Sequence, residues 1–195
     1  MPAGRPRIGI LALQGAVREH ASLLIEAGAE PVAIKQPEEL KSLDGLIIPG
    51  GESTTIGKLM VKYGFIDSIK EFAGAGKPVY GTCAGLIVVA KKITEGSKPW
   101  LSLMNIEARR NAFGRQRESF EAELDIPAFD RPYTGVFIRA PWIEKVEPGV
   151  EVLAEYDGKK VMAREEAILV TAFHPELTAD TRIHEYFINI VRREA

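Results

Sequence analysis

The segment Gly81-Thr82-Cys83-Ala84-Gly85 places a cysteine between two glycines, with an apolar segment on each side. Residues 77–80 before it are typical of the entry to a short buried strand, and residues 86–92 after it are typical of a helix with a basic end. A nucleophile flanked by glycines at a strand-to-helix turn is the nucleophile-elbow pattern, because only small residues fit so tight a turn. The helix would direct free N–H groups and the positive end of its dipole at the sulfur, which favours the thiolate. The segment therefore predicts a strand–nucleophile–helix unit.

Cys83 is the only cysteine of the chain. A lone cysteine is usually a small buried hydrophobic residue, and here the flanking glycines favour a nucleophile instead. One cysteine cannot form an internal disulfide, so we expect a reducing, cytoplasmic setting. Residues 1–7 lack the pattern of a signal peptide, and the apolar run 8–13 is too short to cross a bilayer.

The charges are nearly balanced, with 25 Lys and Arg against 27 Asp and Glu. This balance gives no indication of nucleic acid or an acidic membrane surface as a partner. At 195 residues, the length favours one domain, and we expect residues 1–195 to form it.

Short apolar strands alternate with helical segments through the first half of the chain. Strands are predicted at 8–13, 31–34, 45–49 and 79–82, and helices at 17–27, 55–63, 66–75 and 86–92. The Ser and Thr residues at 53–54 are predicted to cap the second helix. Such alternation is typical of a parallel sheet covered on both faces. We therefore expect an α/β fold with an open, mostly parallel, flavodoxin-like sheet in a three-layer α/β/α arrangement.

The second half of the chain is richer in strands. Strands are predicted at 104–110, 118–124, 135–139, 150–156, 160–164 and 167–173, followed by a closing helix at 182–193. We interpret this β-rich region as an insertion that extends the sheet, rather than as a second domain.

His174-Pro175-Glu176 follows the last predicted strand directly. In an extended segment, residues two apart point to the same side, and Pro175 makes this spacing stiff. Glu176 can then orient the imidazole of His174 toward Cys83, which would give a nucleophile, a base and an orienting acid. A capped strand end with a surface glutamate is the alternative. His20 and His184 lie in helical segments, and we interpret them as solvated or packing residues.

Gly50 and Gly51 follow the third strand, so in a parallel sheet they emerge at the same edge as Cys83. Glycine there lets backbone N–H groups approach a ligand closely. The N–H groups of Gly51 and Ala84 could form an oxyanion hole, with each donor worth about 3 kcal/mol of transition-state stabilisation. Taken alone, Pro49-Gly50-Gly51 is only a turn.

Gly-Thr-Cys-Ala-Gly, Pro-Gly-Gly-Glu-Ser and His-Pro-Glu together resemble the triad (class I) glutamine amidotransferases. Within that family the chain resembles the glutaminase subunits of pyridoxal 5′-phosphate synthases, over about residues 8–191. The segments specific to that branch are 13–20, 110–116 and 135–141. Ile87 stands where many other triad glutaminases carry a glutamine, which argues against the guanylate, carbamoyl phosphate and imidazole glycerol phosphate branches.

The resemblance implies Cys83 as the nucleophile, His174 as base and acid, and Glu176 as the orienting residue. It further implies a glutamine pocket formed by Gly51, Glu52, Ser53, Arg110, Ile138 and Arg139. Arg110 could bind the substrate carboxylate and Glu52 its ammonium group. The cluster of Arg109, Arg110, Arg115 and Arg117 is otherwise a solvated basic face.

The resemblance also implies a partner: a synthase subunit that joins ammonia with a pentose phosphate and a triose phosphate to make pyridoxal 5′-phosphate. The sequence carries no metal-ligand cluster or dinucleotide fingerprint, so we expect neither a metal nor a cofactor in this chain. Another cysteine hydrolase or redox protein on a similar fold, the glutaminase of a different amidotransferase, and a catalytically silent subunit are the alternatives. The silent subunit is disfavoured because all three triad positions are present.

Overall fold

The computed structural model describes residues 4–110 and 119–194. Within them lie twelve strands and five α-helices. The strands are β1 (Arg7–Leu11), β2 (Glu30–Ile34), β3 (Gly45–Ile48), β4 (Val79–Thr82), β5 (Ala90–Ile93), β6 (Met104–Arg109), β7 (Ser119–Leu124), β8 (Tyr133–Ile138), β9 (Trp142–Val146), β10 (Glu151–Tyr156), β11 (Lys159–Glu165) and β12 (Ile168–Thr171). The helices are α1 (Val17–Glu26), α2 (Ser53–Lys62), α3 (Phe65–Gly74), α4 (Ala84–Val89) and α5 (Arg182–Glu194).

Five parallel strands in the order β2-β1-β3-β4-β12 form the centre of the fold. Every residue of β3, β4 and β12 is buried, which explains why their sequences do not alternate between apolar and charged residues. This strand order is that of flavodoxin-like proteins, whose ligands bind at the carboxyl ends of the strands. The predicted α/β class and parallel sheet are confirmed.

The helices form two packed groups. Helix α1 contacts α5, while α2 contacts both α3 and α4. The apolar side of α5 reaches the sheet, where Phe187 and Val191 lie against Gly45. The arrangement is consistent with the predicted three layers. None of the helices within the described residues is long and apolar enough to cross a membrane.

The β-rich region extends the same sheet, as predicted. Strand β11 pairs with β12 in antiparallel orientation, and β9, β6 and β5 follow it outward, while β10 also pairs with β11. Strands β7 and β8 form a separate two-stranded antiparallel sheet. The backbone N–H of His174 donates to the Val136 carbonyl at 2.7 Å, so this small sheet is joined to the end of β12.

Two local predictions are wrong, and one strand was missed. Helix α4 ends at Val89, and the two lysines that follow it lie in β5 rather than at a basic helix end. Strand β9 was not predicted. Helix α2 begins at Ser53, and its cap is Glu52, whose carboxylate accepts hydrogen bonds from the backbone N–H groups of Thr54 and Thr55.

Candidate active site

Cys83 occupies the turn between β4 and α4. Its φ of 49° and ψ of −103° form an unfavourable backbone conformation for a residue with a side chain, as expected of a nucleophile elbow. The turn is held on both sides, because the N–H of Cys83 donates to the Thr171 carbonyl at 2.8 Å and its own carbonyl accepts from Leu86 N–H at 3.1 Å. The residue is 7% exposed and its thiol is free. The fold thus stores strain at the predicted nucleophile.

The small residues around Cys83 are required by close backbone contacts. A Cβ atom on Gly85 would overlap the carbonyl oxygen of Ile48 in β3. A Cβ atom on Gly81 would lie 2.6 Å from the backbone of Gly85. The two glycines therefore let the start of α4 pack directly on the neighbouring strand, which explains why the pattern needs them.

His174 and Glu176 lie just beyond β12. The His174 Nδ1 atom and the Glu176 Oε1 atom are 2.7 Å apart. Glu176 lies in a short 3₁₀ turn, Pro175–Leu177, so the prediction of a fully extended segment is wrong although the residue spacing works. The turn, rather than strand alternation, brings the carboxylate back onto the imidazole.

His174 and Cys83 meet beside Gly50. A Cβ atom built on Gly50 would lie 2.6 Å from His174 Cε1 and 3.4 Å from the Cβ of Cys83. The same small space therefore borders both side chains. The loop after β3 can pass there only because it has glycine at this position.

Burial and partners act in opposite directions on the two titratable groups. Burial lowers the pKa of His174, but its interactions with the Cys83 thiol and with Glu176 outweigh burial and raise the pKa to about 10. Burial raises the pKa of Glu176, but the hydrogen bond with His174 and the nearby imidazoles outweigh it and lower the pKa. This environment favours an ionised carboxylate and an imidazole ready to hold a proton beside the sulfur.

A cavity of about 500 Å³ opens in front of Cys83. It is lined by Gln14, Gly51, Glu52, Ser53, Cys83, Ala84, Ile87, Arg110, Ile138, Arg139, Pro141 and His174. Every residue predicted from the resemblance to form the glutamine pocket lies in this lining. Glu176 lies behind His174, buried at 5% exposure.

The loop 49–52 is fixed by Gln14, which follows β1. The side-chain oxygen Oε1 of Gln14 accepts a hydrogen bond from the backbone N–H of Glu52 at 2.8 Å. A Cβ atom on Gly51 would overlap this side chain. Ala84 is the first residue of α4, so its backbone N–H has no partner within the helix. Both residues predicted to form the oxyanion hole thus border the cavity beside the sulfur.

Arg110 and Glu52 face each other at the edge of the cavity. Arg110 Nη2 lies 3.7 Å from Glu52 Oε1 and 3.5 Å from the Thr54 hydroxyl. Burial raises the pKa of Glu52, but hydrogen bonds from Thr55 and Thr54 outweigh burial and lower the pKa to about 2. A cation and an anion are therefore available in the same wall of the cavity.

The remaining arginines of the predicted cluster are separate from this pair. Arg109 donates to Glu144 at 2.7 Å and does not line the cavity. Arg115 and Arg117 lie outside the described residues, as does most of the segment 110–116. Arg109 and Arg110 thus belong to two distinct ion pairs, and their side chains are 40% and 31% exposed.

The chain is similar to known proteins over almost its whole length. The model of the SNO glutamine amidotransferase family matches residues 10–193. The chain belongs to that family. A protein of Niallia circulans named pyridoxal 5′-phosphate synthase subunit PdxT is 56% identical over 95% of this chain and 98% of its own length. The subunit of the same name from Geobacillus kaustophilus is 54% identical over 95% of both chains.

Solved structures agree with this family. A crystal structure described as a glutamine amidotransferase superposes with a TM-score of 0.90 at 44% identity and covers 95% of this chain and 98% of its own. PurLQS from Thermotoga maritima superposes with a TM-score of 0.67 at 17% identity, covering 97% of each chain, and supports the fold alone. The family supports a glutamine amidotransferase, and not the alternative of an unrelated hydrolase or redox protein.

Two buried histidines behind the site were not predicted to belong to it. His20 in α1 and His184 in α5 are fully buried, with His20 Nδ1 and His184 Nε2 2.9 Å apart. His20 Nε2 lies 3.5 Å from Glu176 Oε2 and 3.3 Å from the Thr82 hydroxyl. The packing interpretation is right for both residues, and His20 in addition lies next to a residue of the predicted triad. No local pattern signals this contact, because it joins residues far apart in the sequence.

Proposed function

We propose that this chain is the glutaminase subunit of a pyridoxal 5′-phosphate synthase. It hydrolyses L-glutamine to L-glutamate and ammonia, and it passes the ammonia to a synthase subunit. The observation that carries the proposal is that Cys83, His174 and Glu176 lie together at one end of a cavity. The wall of this cavity includes a positively charged side chain, Arg110, and a negatively charged one, Glu52. The names of its relatives support the same assignment.

In the first step, the Cys83 sulfur attacks the side-chain amide carbon of glutamine. The N–H groups of Gly51 and Ala84 stabilise the oxyanion of the tetrahedral intermediate. The C–N bond then breaks, and His174 gives its proton to the departing nitrogen, which leaves as ammonia. The product of this step is a thioester between Cys83 and the glutamyl group.

In the second step, water hydrolyses the thioester. His174, now neutral, accepts a proton from the attacking water, while Glu176 holds the imidazole in the orientation required. Collapse of the second tetrahedral intermediate breaks the C–S bond, and His174 with Cys83 returns to its starting protonation. Because the mechanism requires a free thiol, we expect the reducing cytoplasm as the setting.

The pocket would bind the amino-acid end of glutamine through charge. Arg110 suits the α-carboxylate and Glu52 suits the ammonium group, and the substrate would insert between them. Ser53, Ile138 and Arg139 complete the wall around the substrate. A longer or shorter amino acid would place its amide away from the sulfur.

Ammonia becomes protonated in bulk water and loses its nucleophilicity, so the product is useful only when it is delivered within a complex. The proposed partner is the synthase subunit that combines this ammonia with a pentose phosphate and a triose phosphate. Pyridoxal 5′-phosphate is then a product formed in the partner and not a cofactor of this chain.

The test is glutamate release from glutamine by the full chain, with and without the synthase subunit. Cys83→Ala is expected to abolish release while the fold stays intact, because alanine suits the turn. His174→Asn is expected to be nearly as damaging, and Glu176→Gln less so, since Glu176 orients and does not transfer protons. Release near the wild-type rate from Cys83→Ala would exclude Cys83 from the chemistry.

A further inference from the structure

A row of buried imidazoles continues behind the triad. Glu176 uses Oε1 for His174, and its other oxygen, Oε2, points toward His20 at 3.5 Å. Among the described residues, this buried Oε2 atom has no hydrogen bond of ordinary geometry. His20 is therefore the available donor for an oxygen that burial would otherwise leave without one.

The need for such a donor is physical. A buried carboxylate that lacks a hydrogen bond on one oxygen is strongly disfavoured in its ionised form. Glu176 nevertheless has to stay ionised in order to orient His174. A second N–H near Oε2 stabilises the charge and restricts rotation of the carboxylate, which fixes the position of Oε1.

The tautomer of His20 can be inferred from its neighbours. With the proton on Nε2, His20 donates toward Glu176 and Thr82, and its Nδ1 accepts from His184 Nε2. This leaves only a bare acceptor, His184 Nδ1, buried without a partner. The opposite tautomer would aim a lone pair at the carboxylate and bury a His184 N–H with no acceptor, which costs more.

We propose that His20 is a positioning residue for the glutaminase reaction, acting through Glu176. The inference rests on the proposed function, because it extends the triad by one residue. His20 also contacts the hydroxyl of Thr82, the residue before the nucleophile. The same imidazole therefore lies next to Glu176 and next to the residue that precedes Cys83. His184 fixes the tautomer of His20, because its Nε2–H donates to His20 Nδ1 on the side away from Glu176.

The charged and titratable groups around this contact come from several elements. Burial lowers the pKa of His20, which keeps the ring neutral near neutral pH. The groups that act electrostatically on Glu176 or His20 are His174, Glu19, His184, Tyr80 and Tyr133. None of the others within the described residues donates a hydrogen bond to Oε2.

The test compares His20→Leu, which removes the donor at similar volume, with His20→Gln, which returns an N–H donor near the Nε2 position. His20→Leu is expected to lower kcat for glutamate release roughly tenfold, as for the loss of an N–H donor beside a buried charged group, with KM changed by less than about twofold. His20→Gln is expected to recover most of the rate. Leu24→Val is the matched control, because Leu24 lies one turn further along α1 and is also fully buried, and this variant is expected to retain the wild-type kcat.

Two further readouts separate positioning from structure. Without the donor, Glu176 should protonate more readily, so the acid limb of the kcat profile should move to higher pH in His20→Leu and not in His20→Gln. In a Glu176→Gln background, His20→Leu should cost less than about twofold, because its target carboxylate is gone.

The outcomes distinguish the two proposals. Glutamate release that does not depend on Cys83 would overturn the proposed function. Release that depends on Cys83, together with an unchanged kcat and pH profile in a folded His20→Leu protein, would overturn the role of His20 alone. Equal losses in His20→Leu and His20→Gln would also overturn it, because the donor would then be irrelevant.

Discussion

At the scale of single residues, Arg110 and Glu52 show how the cavity is prepared for a zwitterion. Their side chains are 31% and 52% exposed, and 3.7 Å separates their charged atoms. An ion pair so exposed contributes only about 0–1 kcal/mol to stability. The pair therefore contributes little to stability. Arg110 and Glu52 can each give up this contact and bind a charged group of the substrate with little loss of free energy.

Arg110→Ala is therefore expected to raise KM for glutamine, or to weaken activation by the partner, more than it lowers the melting temperature. Arg109→Ala is the matched control, since Arg109 is the preceding residue and is bound to Glu144 outside the cavity. Steady-state kinetics and thermal unfolding of both variants provide the comparison. Unchanged kinetics in Arg110→Ala would mean that this arginine serves only its ion pair.

The residues of the triad could be predicted from local patterns, and the residue behind them could not. Cys83 and His174 are marked by their immediate neighbours, two glycines and a proline. His20 has no such mark, because its contact with Glu176 depends on the packing of α1 against the turn after β12. A side chain whose role is fixed by its own turn can be recognised from the sequence, whereas a side chain whose role depends on distant packing cannot.

At the scale of elements, the loop between β3 and α2 packs tightly against the side chains of the site. A Cβ atom added at Gly50 would lie 2.6 Å from His174 Cε1 and 3.4 Å from the Cβ of Cys83. We expect Gly50→Ala to reduce glutamate release by about fivefold to a hundredfold, since overpacking of a rigid site costs about 1–3 kcal/mol.

Gly74→Ala is the control for this substitution. Gly74 is the last residue of α3, and an added Cβ there would meet nothing within 4 Å. This variant should keep full activity and gain up to about 1 kcal/mol of stability. Wild-type activity in Gly50→Ala would mean that the loop can move aside freely.

The cap of α2 predicts a pH dependence of stability. The pKa of Glu52 is lowered to about 2 in the folded chain, below its ordinary value of 4.5. Its contribution is therefore present above about pH 4.5 and is lost as the pH falls toward 2. The unfolding free energy of wild type should fall more steeply than that of Glu52→Gln when urea titrations are carried from neutral pH to about pH 3. Parallel curves would mean that the capping hydrogen bonds do not depend on the charge; solvent screening at this half-exposed group keeps the difference small.

The elements that were predicted correctly are those whose apolar residues follow one clear pattern, either a continuous buried run or helical spacing. The buried strands β3 and β12 and the amphipathic helix α5 are examples. The apolar run at 86–90 could not be divided between helix and strand by its pattern, and its last residue belongs to β5 because β6 pairs with it. Strand β9 likewise owes its conformation to pairing with β6 and β11. Pairing partners distant in sequence leave no local signal.

At the scale of the whole molecule, the site is a consequence of strand order. Residues from the ends of β1, β3, β4 and β12 meet at one edge because these strands are parallel neighbours. That part of the site follows from the sequence once the strands are recognised. Arg110, Ile138 and Arg139 come from the β-rich region instead, and only the resemblance to a family placed them in the pocket.

The same edge suggests how the activity could depend on a partner. A glutaminase that ran freely would waste glutamine, so we predict that the productive site is completed only on docking. The oxyanion hole is the part that the backbone can leave unfinished most simply, because glycine allows a flip of the peptide between Gly50 and Gly51, which removes a donor. Losing one donor costs about 3 kcal/mol, or roughly a hundredfold in rate.

The isolated chain should therefore release glutamate slowly, with a rise on the order of a hundredfold when the synthase subunit is added. The segment 14–18 is the expected docking contact, and Gln14 already joins it to the loop through the Glu52 N–H. Gln14→Ala should reduce the activated rate more than the unassisted rate, because it removes the link between the docking contact and the donor peptide. The measurement is glutamate release at saturating glutamine, with and without the partner, for both proteins. An isolated wild-type chain that already runs at the rate of the complex would exclude gating by this loop, while the assignment of Cys83, His174 and Glu176 would stand on its own test.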